Sequence, residues 1–241
     1  MRRCPFPGIV RGTDYPRNVT DAPFALFALD APAPSAPGPV VATLPHETRI
    51  VADSSDRIAW LRARSRGITA TDAAKLATRA SVRSAAWEKL NGTGFGGSAY
   101  TEHGRSREPV IAEWAAREHG MAASTKLFHA ADDPRHLATP DGLRVRGAAL
   151  ELCEIKTTAK VWRSIPRGYL RQVWWQQYVL GAERTLVVWE QHEGFVPVGA
   201  PQSRWVERDD DQIAVLIALA DELLEAIGLG GRPAPHGGGA R

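Results

Sequence analysis

Cysteine is nearly absent from the 241 residues: there are two, Cys4 and Cys153, far apart and in unlike surroundings. That excludes a disulfide framework and a cysteine-ligated metal centre. A reducing compartment is expected. Long apolar runs are missing too. The stretch from Val19 to Leu29 is broken by Asp21 and Pro23 and closed by Asp30, too short and too interrupted to span a bilayer. Met-Arg-Arg opens the chain as a signal peptide would, yet no continuous apolar core follows it, so a cytoplasmic protein with no membrane partner is expected. Neither charge sign dominates: 30 basic residues face 27 acidic ones, for a net charge of +3 and a pI near 9.1. Such a balance suits a polyanionic partner without identifying one. No internal repeat is present.

A hydrophobic content of 44% at this length is enough for one full core, which makes one principal domain the expectation. Residues 1–45 hold roughly half of the prolines, including the run from Ala31 to Pro39, and residues 229–241 are rich in Gly and Pro. Both segments read as tails or linkers around a domain at 46–228. Within it, Ser55 can cap a helix starting at Asp56, with Ile58, Trp60 and Leu61 apolar. Further helices are expected from Ile68, over Val82–Leu90 before Asn91-Gly92, and over Gly104–His119 before Gly120. Short β-like runs follow at Lys126–His129, His136–Thr139, Leu143–Val145 and Leu150–Ile155, separated by Pro and Gly. Tyr169–Leu180 returns to helix, Thr185–Gln191 and Phe195–Val198 read as strands, and Asp209–Ile227 closes as an amphipathic helix with an acidic start. The order predicts an α/β fold: a mixed β-sheet flanked by helices, with a helical N-terminal part.

Chemistry concentrates at Thr139-Pro140-Asp141-Gly142 and Glu154-Ile155-Lys156, with twelve residues between Asp141 and Glu154. Residues two apart on a strand share a face, so Glu154 and Lys156 project together while Ile155 turns into the core. A hairpin returning through Gly147 brings the Asp141 carboxylate beside that of Glu154. Two carboxylates and one ammonium suit Mg²⁺, with Mn²⁺ able to substitute, and Lys156 can orient a metal-bound water. The pattern is short and permissive, so a turn-forming Asp141 and a solvated strand face at Glu154 and Lys156 stand beside this reading. Glu151 competes with Glu154 as the second carboxylate. Strand parity sets Glu151 on the opposite face from Lys156 unless a bulge intervenes, and its substitution is expected to be mild. In Tyr169–Leu180 the adjacent Trp174 and Trp175 point about 100° apart, one toward the core and one toward an edge where a base could stack.

Trp60-Leu61-x-Ala63-Arg64, Ile68-Thr69-Ala70-Thr71, Gly104-x-x-x-Glu108, Thr139-Pro140-Asp141-Gly142-Leu143, Glu154-x-Lys156 and Gln172-Val173 follow one another in order. Over about Ile58 to Ile227 the chain thereby resembles the YqaJ-type viral recombinases, the family of bacteriophage lambda exonuclease in the PD-(D/E)-x-K nuclease superfamily. The resemblance implies a restriction-endonuclease-like core and a metal-dependent exonuclease that resects duplex DNA ends from 5′ to 3′ for phage-type recombination. It implies that Asp141, Glu154 and Glu108 approach the metal, that Lys156 positions the nucleophile, and that Gln172 supports the site. Arg64 and Thr71 match the positions that hold a terminal 5′-phosphate, a role open to a guanidinium fork and a hydroxyl near a helix start. Each has a plainer reading: Glu108 as a first-turn carboxylate, Gln172 as one of several helical glutamines, Arg64 as part of a solvated Arg-rich face, Thr71 as a cap. By the same resemblance the partners are double-stranded DNA ends and a single-strand annealing protein, and the assembly a ring trimer. An endonuclease of the same fold, or a DNA-binding protein without chemistry, are the alternatives.

Overall fold

The computed structural model describes residues 44–92 and 97–230. The two expected tails lie almost wholly outside the described residues, as do Cys4 and the stretch from Val19 to Leu29. A 3-10 turn at Glu47–Arg49 leads into β1 (Ile50–Asp53). Next come α1 (Arg57–Ser65), β2 (Ile68–Thr69), α2 (Ala70–Ala73), α3 (Arg79–Asn91) and α4 (Ala99–His119). Short strands β3 (Ala122–Ala123), β4 (Lys126–His129) and β5 (His136–Ala138) precede the hairpin β6 (Gly142–Arg146) and β7 (Ala149–Thr158). The chain ends on α5 (Arg167–Leu180), β8 (Arg184–Glu193), β9 (Val196–Pro197), β10 (Gln202–Glu207) and α6 (Asp210–Ala226).

Local chemistry accounts for most boundaries. Asp56, not Ser55, caps α1, its side chain accepting from the Ala59 amide. The helix expected from Ile68 is first a strand, because Ile68 and Thr69 pair in parallel with β5, and Thr69 then caps α2 in a reciprocal box with Asp72. The part expected to be purely helical therefore also contains β1 and β2. Gly120, in the left-handed region, stops α4, and its amide donates to the Ala116 carbonyl. Pro109 lies inside α4, where it cannot donate to the carbonyl one turn back.

The strands form two mixed sheets, one ordered β1-β4-β5-β2 and the other β10-β8-β7-β6-β3, with β9 against β8. β6 and β7 are antiparallel; β7 and β8 are parallel and joined through α5. β7 is covered on both sides. Leu150 and Leu152 face the core built with Val173, Trp175, Leu216 and Leu223 of α5 and α6, while Cys153 and Ile155 face Ile111 and Ala115 of α4. Arg49 reaches across to the far end of α5, donating to the carbonyls of Val179 at 2.5 Å and Leu180 at 3.0 Å, and to that of His129 at 3.0 Å. Among the described residues no helix is long and apolar enough to cross a membrane.

Candidate active site

The β6–β7 hairpin positions the first carboxylate. Arg146 pairs with Ala149 around Gly147, whose φ of 64° suits the first central position of a two-residue turn. The register then sets Gly142 opposite Cys153, and hence Asp141 opposite Glu154. Space at Gly142 is tight: an added Cβ would stand 3.0 Å from the Ala122 carbonyl oxygen and 3.2 Å from the Cys153 Cβ, so the neighbouring strands would have to give by a few tenths of an ångström. The Asp141 amide donates to the Cys153 carbonyl at 3.1 Å, and the Ile155 amide donates to Asp141 Oδ2 at 2.6 Å. That bond pins one carboxylate oxygen to the edge of β7 and leaves Oδ1 for another partner.

Glu154 is 2% exposed, so its oxygens need donors from the protein. Lys156, two residues along the same face, donates to Oε1. From α5, Gln172 Nε2 donates to Oε1 at 2.5 Å and Gln176 Nε2 to Oε2 at 2.6 Å. The Lys156 ammonium also lies 5.1 Å from the centre of the Tyr169 ring, a cation–π contact.

Charge is concentrated here. Burial, and then the neighbouring Glu154, push the Asp141 carboxyl well above the usual carboxylate range, against the pull of Lys156. Glu108, on the exposed side of α4, is raised by desolvation where its carboxyl faces the site and then by Glu154. Burial alone would lower the Lys156 ammonium, but Glu154 and Asp141 outweigh it and hold the group protonated. The Cys153 thiol is pushed up by burial and by the same two carboxylates, which removes it as a nucleophile. Among the described residues three carboxyl groups therefore face one ammonium, with the Arg105 guanidinium acting on Glu108. An oxygen-ligated divalent cation fits this excess of negative charge: Asp141 and Glu154 would hold it, Glu108 would approach it, and it would polarise a phosphate and lower the pKa of a bound water.

Glu151 lies on the other face of β7, away from Lys156, and is engaged elsewhere. Its Oε1 accepts from Arg184 Nε at 2.9 Å and Nη2 at 2.6 Å, and its Oε2 from Arg144 Nε. Burial would raise this carboxyl, but the two guanidinium groups hold it below the ordinary value. Strand parity thus placed Glu151 correctly, and two guanidinium groups on the neighbouring strands engage its carboxylate in place of the Lys156 side.

Arg64 and Thr71 touch none of the residues above. Arg64 lies on α1 with its guanidinium 4.2 Å from the centre of the Trp60 ring, and Thr71 is exposed on α2, two residues after the capping residue Thr69. α2 does pack beside α5: Arg171 Nε, next to Gln172, donates to the Ala74 carbonyl at 2.9 Å. Neither Trp174 nor Trp175 is free to stack on a base. Both are buried, their indole N–H groups donating to the Glu207 and Leu137 carbonyls at 3.2 and 3.0 Å. Gln176 went unrecognised in the sequence, although its position one turn after Gln172 was the signal for a shared face. A separate group, Asp133, His136 and Asp221, brings three potential metal-ligand atoms within 4.8 Å of one another.

A family model for the YqaJ-like viral recombinase domain matches residues 59–183, just over half of the chain. No curated protein matches the sequence. Among solved structures, an alkaline exonuclease (LHK-Exo) from Laribacter hongkongensis aligns over 70% of this chain and 91% of its own, at 20% identity and a TM-score of 0.53. The same enzyme in complex with dAMP aligns with the same coverage and identity at a TM-score of 0.54. These likenesses show a shared nuclease fold: a mixed α/β architecture of two sheets flanked by helices. Order of motifs, hairpin register and family match agree, and the chain belongs to the YqaJ-like viral recombinase family.

Proposed function

We propose that this protein is a divalent-metal-dependent DNA exonuclease that hydrolyses phosphodiester bonds from the 5′ end of duplex DNA, with Asp141, Glu154 and Lys156 at its catalytic centre. The observation that carries the reading is the register of one hairpin, which sets Asp141 opposite Glu154 with Lys156 on the same face. Mg²⁺, or Mn²⁺ in its place, supplies Lewis acidity and an activated water when bound. Asp141 and Glu154 would hold the cation. Gln172 and Gln176 fix the Glu154 rotamer by holding both of its oxygens. Lys156 holds the attacking water and neutralises charge on the phosphate as the new P–O bond forms and the bond from phosphorus to the 3′-oxygen breaks. The 3′-oxygen leaves with a proton, and the products are a 5′-mononucleotide and a shortened strand with a new 5′-phosphate.

A cavity of about 530 Å³ opens beside Lys156, lined among others by Tyr100, Thr157, Lys160, Trp162 and Tyr169, and it is large enough for a terminal nucleotide. Trp162 and Tyr169 present partly exposed rings 5.2 Å apart there, which makes them the stacking surface that Trp174 and Trp175 cannot be. The dAMP bound by the Laribacter enzyme is a product of this class. Arg64 and Thr71 are assigned the terminal 5′-phosphate, and double-stranded DNA ends are the substrate. An annealing protein as partner and a ring trimer as assembly follow from the family alone.

Three duplexes test this: linear with 5′-phosphate, linear with 5′-hydroxyl, and covalently closed circles, each with Mg²⁺, Ca²⁺ or EDTA. Mononucleotide release from phosphorylated ends in Mg²⁺, binding without turnover in Ca²⁺, and no cleavage in EDTA are expected. Circles cut as fast as phosphorylated ends would replace the exonuclease by an endonuclease, and full activity in EDTA would remove the metal mechanism.

A further inference from the structure

A second polar cluster lies on the side of α5 turned away from Glu154. Gln176 and Tyr178 are two positions apart on the helix, so they project about 200° from one another. Gln176 reaches Glu154, whereas the Tyr178 hydroxyl meets His136 Nδ1 at 3.0 Å. Around His136 opens a cavity of about 450 Å³, lined also by Asp132, Asp133, Asp221 and Glu225.

His136 lies on β5 and is 1% exposed. Its Nε2 is buried and has no hydrogen-bond partner among the described residues; Asp221 Oδ1 stands 3.6 Å away, beyond hydrogen-bonding distance. A buried ring nitrogen left without a partner is costly, and here it faces carboxylates rather than apolar side chains. Asp133 is already oriented. Its Oδ1 accepts from the Arg135 amide at 2.8 Å and Nε at 2.9 Å, and its Oδ2 from Arg135 Nη2 at 2.6 Å. A carboxylate fixed in this way by donors is the usual second layer around a metal ligand. Among the described residues four carboxylates line the cavity against one guanidinium, an excess that favours a cation.

We propose that Asp133, His136 and Asp221 form a second divalent-metal site, separate from Asp141 and Glu154, which takes a borderline transition metal such as Zn²⁺. One imidazole nitrogen with two carboxylates favours such an ion over Mg²⁺, which prefers an all-oxygen shell. Asp221 has a half-exposed side chain, which gives the ion a path from solvent. Asp133 belongs to the β4–β5 connection, His136 to β5 and Asp221 to α6, so a bound ion clamps the last helix to the small sheet. This role is structural and does not depend on the nuclease reading.

The test uses the full chain, stripped with EDTA, dialysed and titrated with Zn²⁺ by calorimetry and by thermal unfolding. Wild type, Asp221→Asn and Glu154→Gln are compared, because Asp221 is exposed enough for its substitution to leave the fold intact. Asp221→Asn should lose one equivalent of Zn²⁺ and the zinc-induced rise in unfolding temperature, while Glu154→Gln keeps both. The loss in affinity should exceed the roughly 10-fold to 100-fold that removal of a mere supporting partner brings. His136→Gln, checked for folding by circular dichroism, should lose the same equivalent. Equal stoichiometry and equal thermal shift in wild type and Asp221→Asn would overturn the proposal, and His136 Nε2 would then carry a proton toward Asp221 and nothing more. Cleavage is not the readout, so a failure of the nuclease reading leaves the result standing.

Discussion

Replacing Glu151 by Gln separates the two acidic residues of β7 by what each does. The change keeps the shape of the side chain and removes the charge that two guanidinium groups share from the neighbouring strands. Glu151 is 2% exposed, while the Arg144 and Arg184 side chains are 26% and 27% exposed and lie 5.5 and 4.1 Å from the Trp205 ring. Breaking a fully buried pair costs about 3–5 kcal/mol; because both arginines keep some water, about 2–3 kcal/mol is expected here. For a domain of this size each kcal/mol lowers the unfolding temperature by about 2–4 °C, so the midpoint should fall by about 4–12 °C. Cleavage measured well below that midpoint should stay near the wild-type rate. The pH dependence has a defined sign. The folded-state pKa of Glu151 is below its ordinary value, so its contribution is complete above about pH 4.3 and is lost as pH falls through the lowered folded value. The stability gap between wild type and variant should therefore close in acid. An unchanged midpoint together with lost cleavage would refute the reasoning and make Glu151 the metal ligand.

Asp141→Ala, Glu154→Ala and Lys156→Ala should each abolish cleavage while duplex binding in Ca²⁺, followed by gel shift, stays largely intact; full turnover by any of the three would remove that residue from the centre. Gln176→Leu should weaken the apparent Mg²⁺ affinity or the rate by about 10-fold to 100-fold, since it frees one oxygen of Glu154 to rotate, and an unaltered Mg²⁺ titration would assign Gln176 to packing alone. Arg64→Ala should erase most of a 5′-phosphate preference, worth about 1.5–3 kcal/mol or roughly 10-fold to 150-fold, whereas equal weakening at both kinds of end would mark a general backbone contact. Trp175→Ala should destabilise by about 3–5 kcal/mol, read by urea unfolding, because the ring is wholly buried and its N–H donation to Leu137 is lost as well.

The legible parts of the fold were those fixed by local pattern. The short strand at Lys126–His129, the turn at Gly147 and the stop at Gly120 each depend on a few consecutive residues, and they stand where expected. Strand parity was enough to divide Glu151 from Glu154, because side chains alternate whatever the rest of the sheet does. β10 was missed: its Gln-Ser-Arg-Trp-Val-Glu is too polar to announce a strand, and it becomes one through antiparallel pairing with β8. β3 has only two residues, fewer than any periodicity can reveal. Of the partners of Glu151, Arg144 follows from the same hairpin register that sets Asp141 opposite Glu154, whereas Arg184 on β8 pairs in parallel across the sheet and no spacing rule reveals it. Asp133, His136 and Asp221 are likewise scattered along the chain and meet only because α6 folds back over β5.

The reach of Arg49 to the end of α5 bears on where this domain begins. The last carbonyls of a helix lack partners within it, and those of Val179 and Leu180 find theirs in a guanidinium more than a hundred residues upstream. The helix that presents Gln172 and Gln176 to Glu154 is thus anchored at its opposite end by the segment just before β1. A protease that cuts ahead of Leu44 should leave this anchor in place, whereas one that cuts between Arg49 and β1 should release it and loosen the active centre from behind.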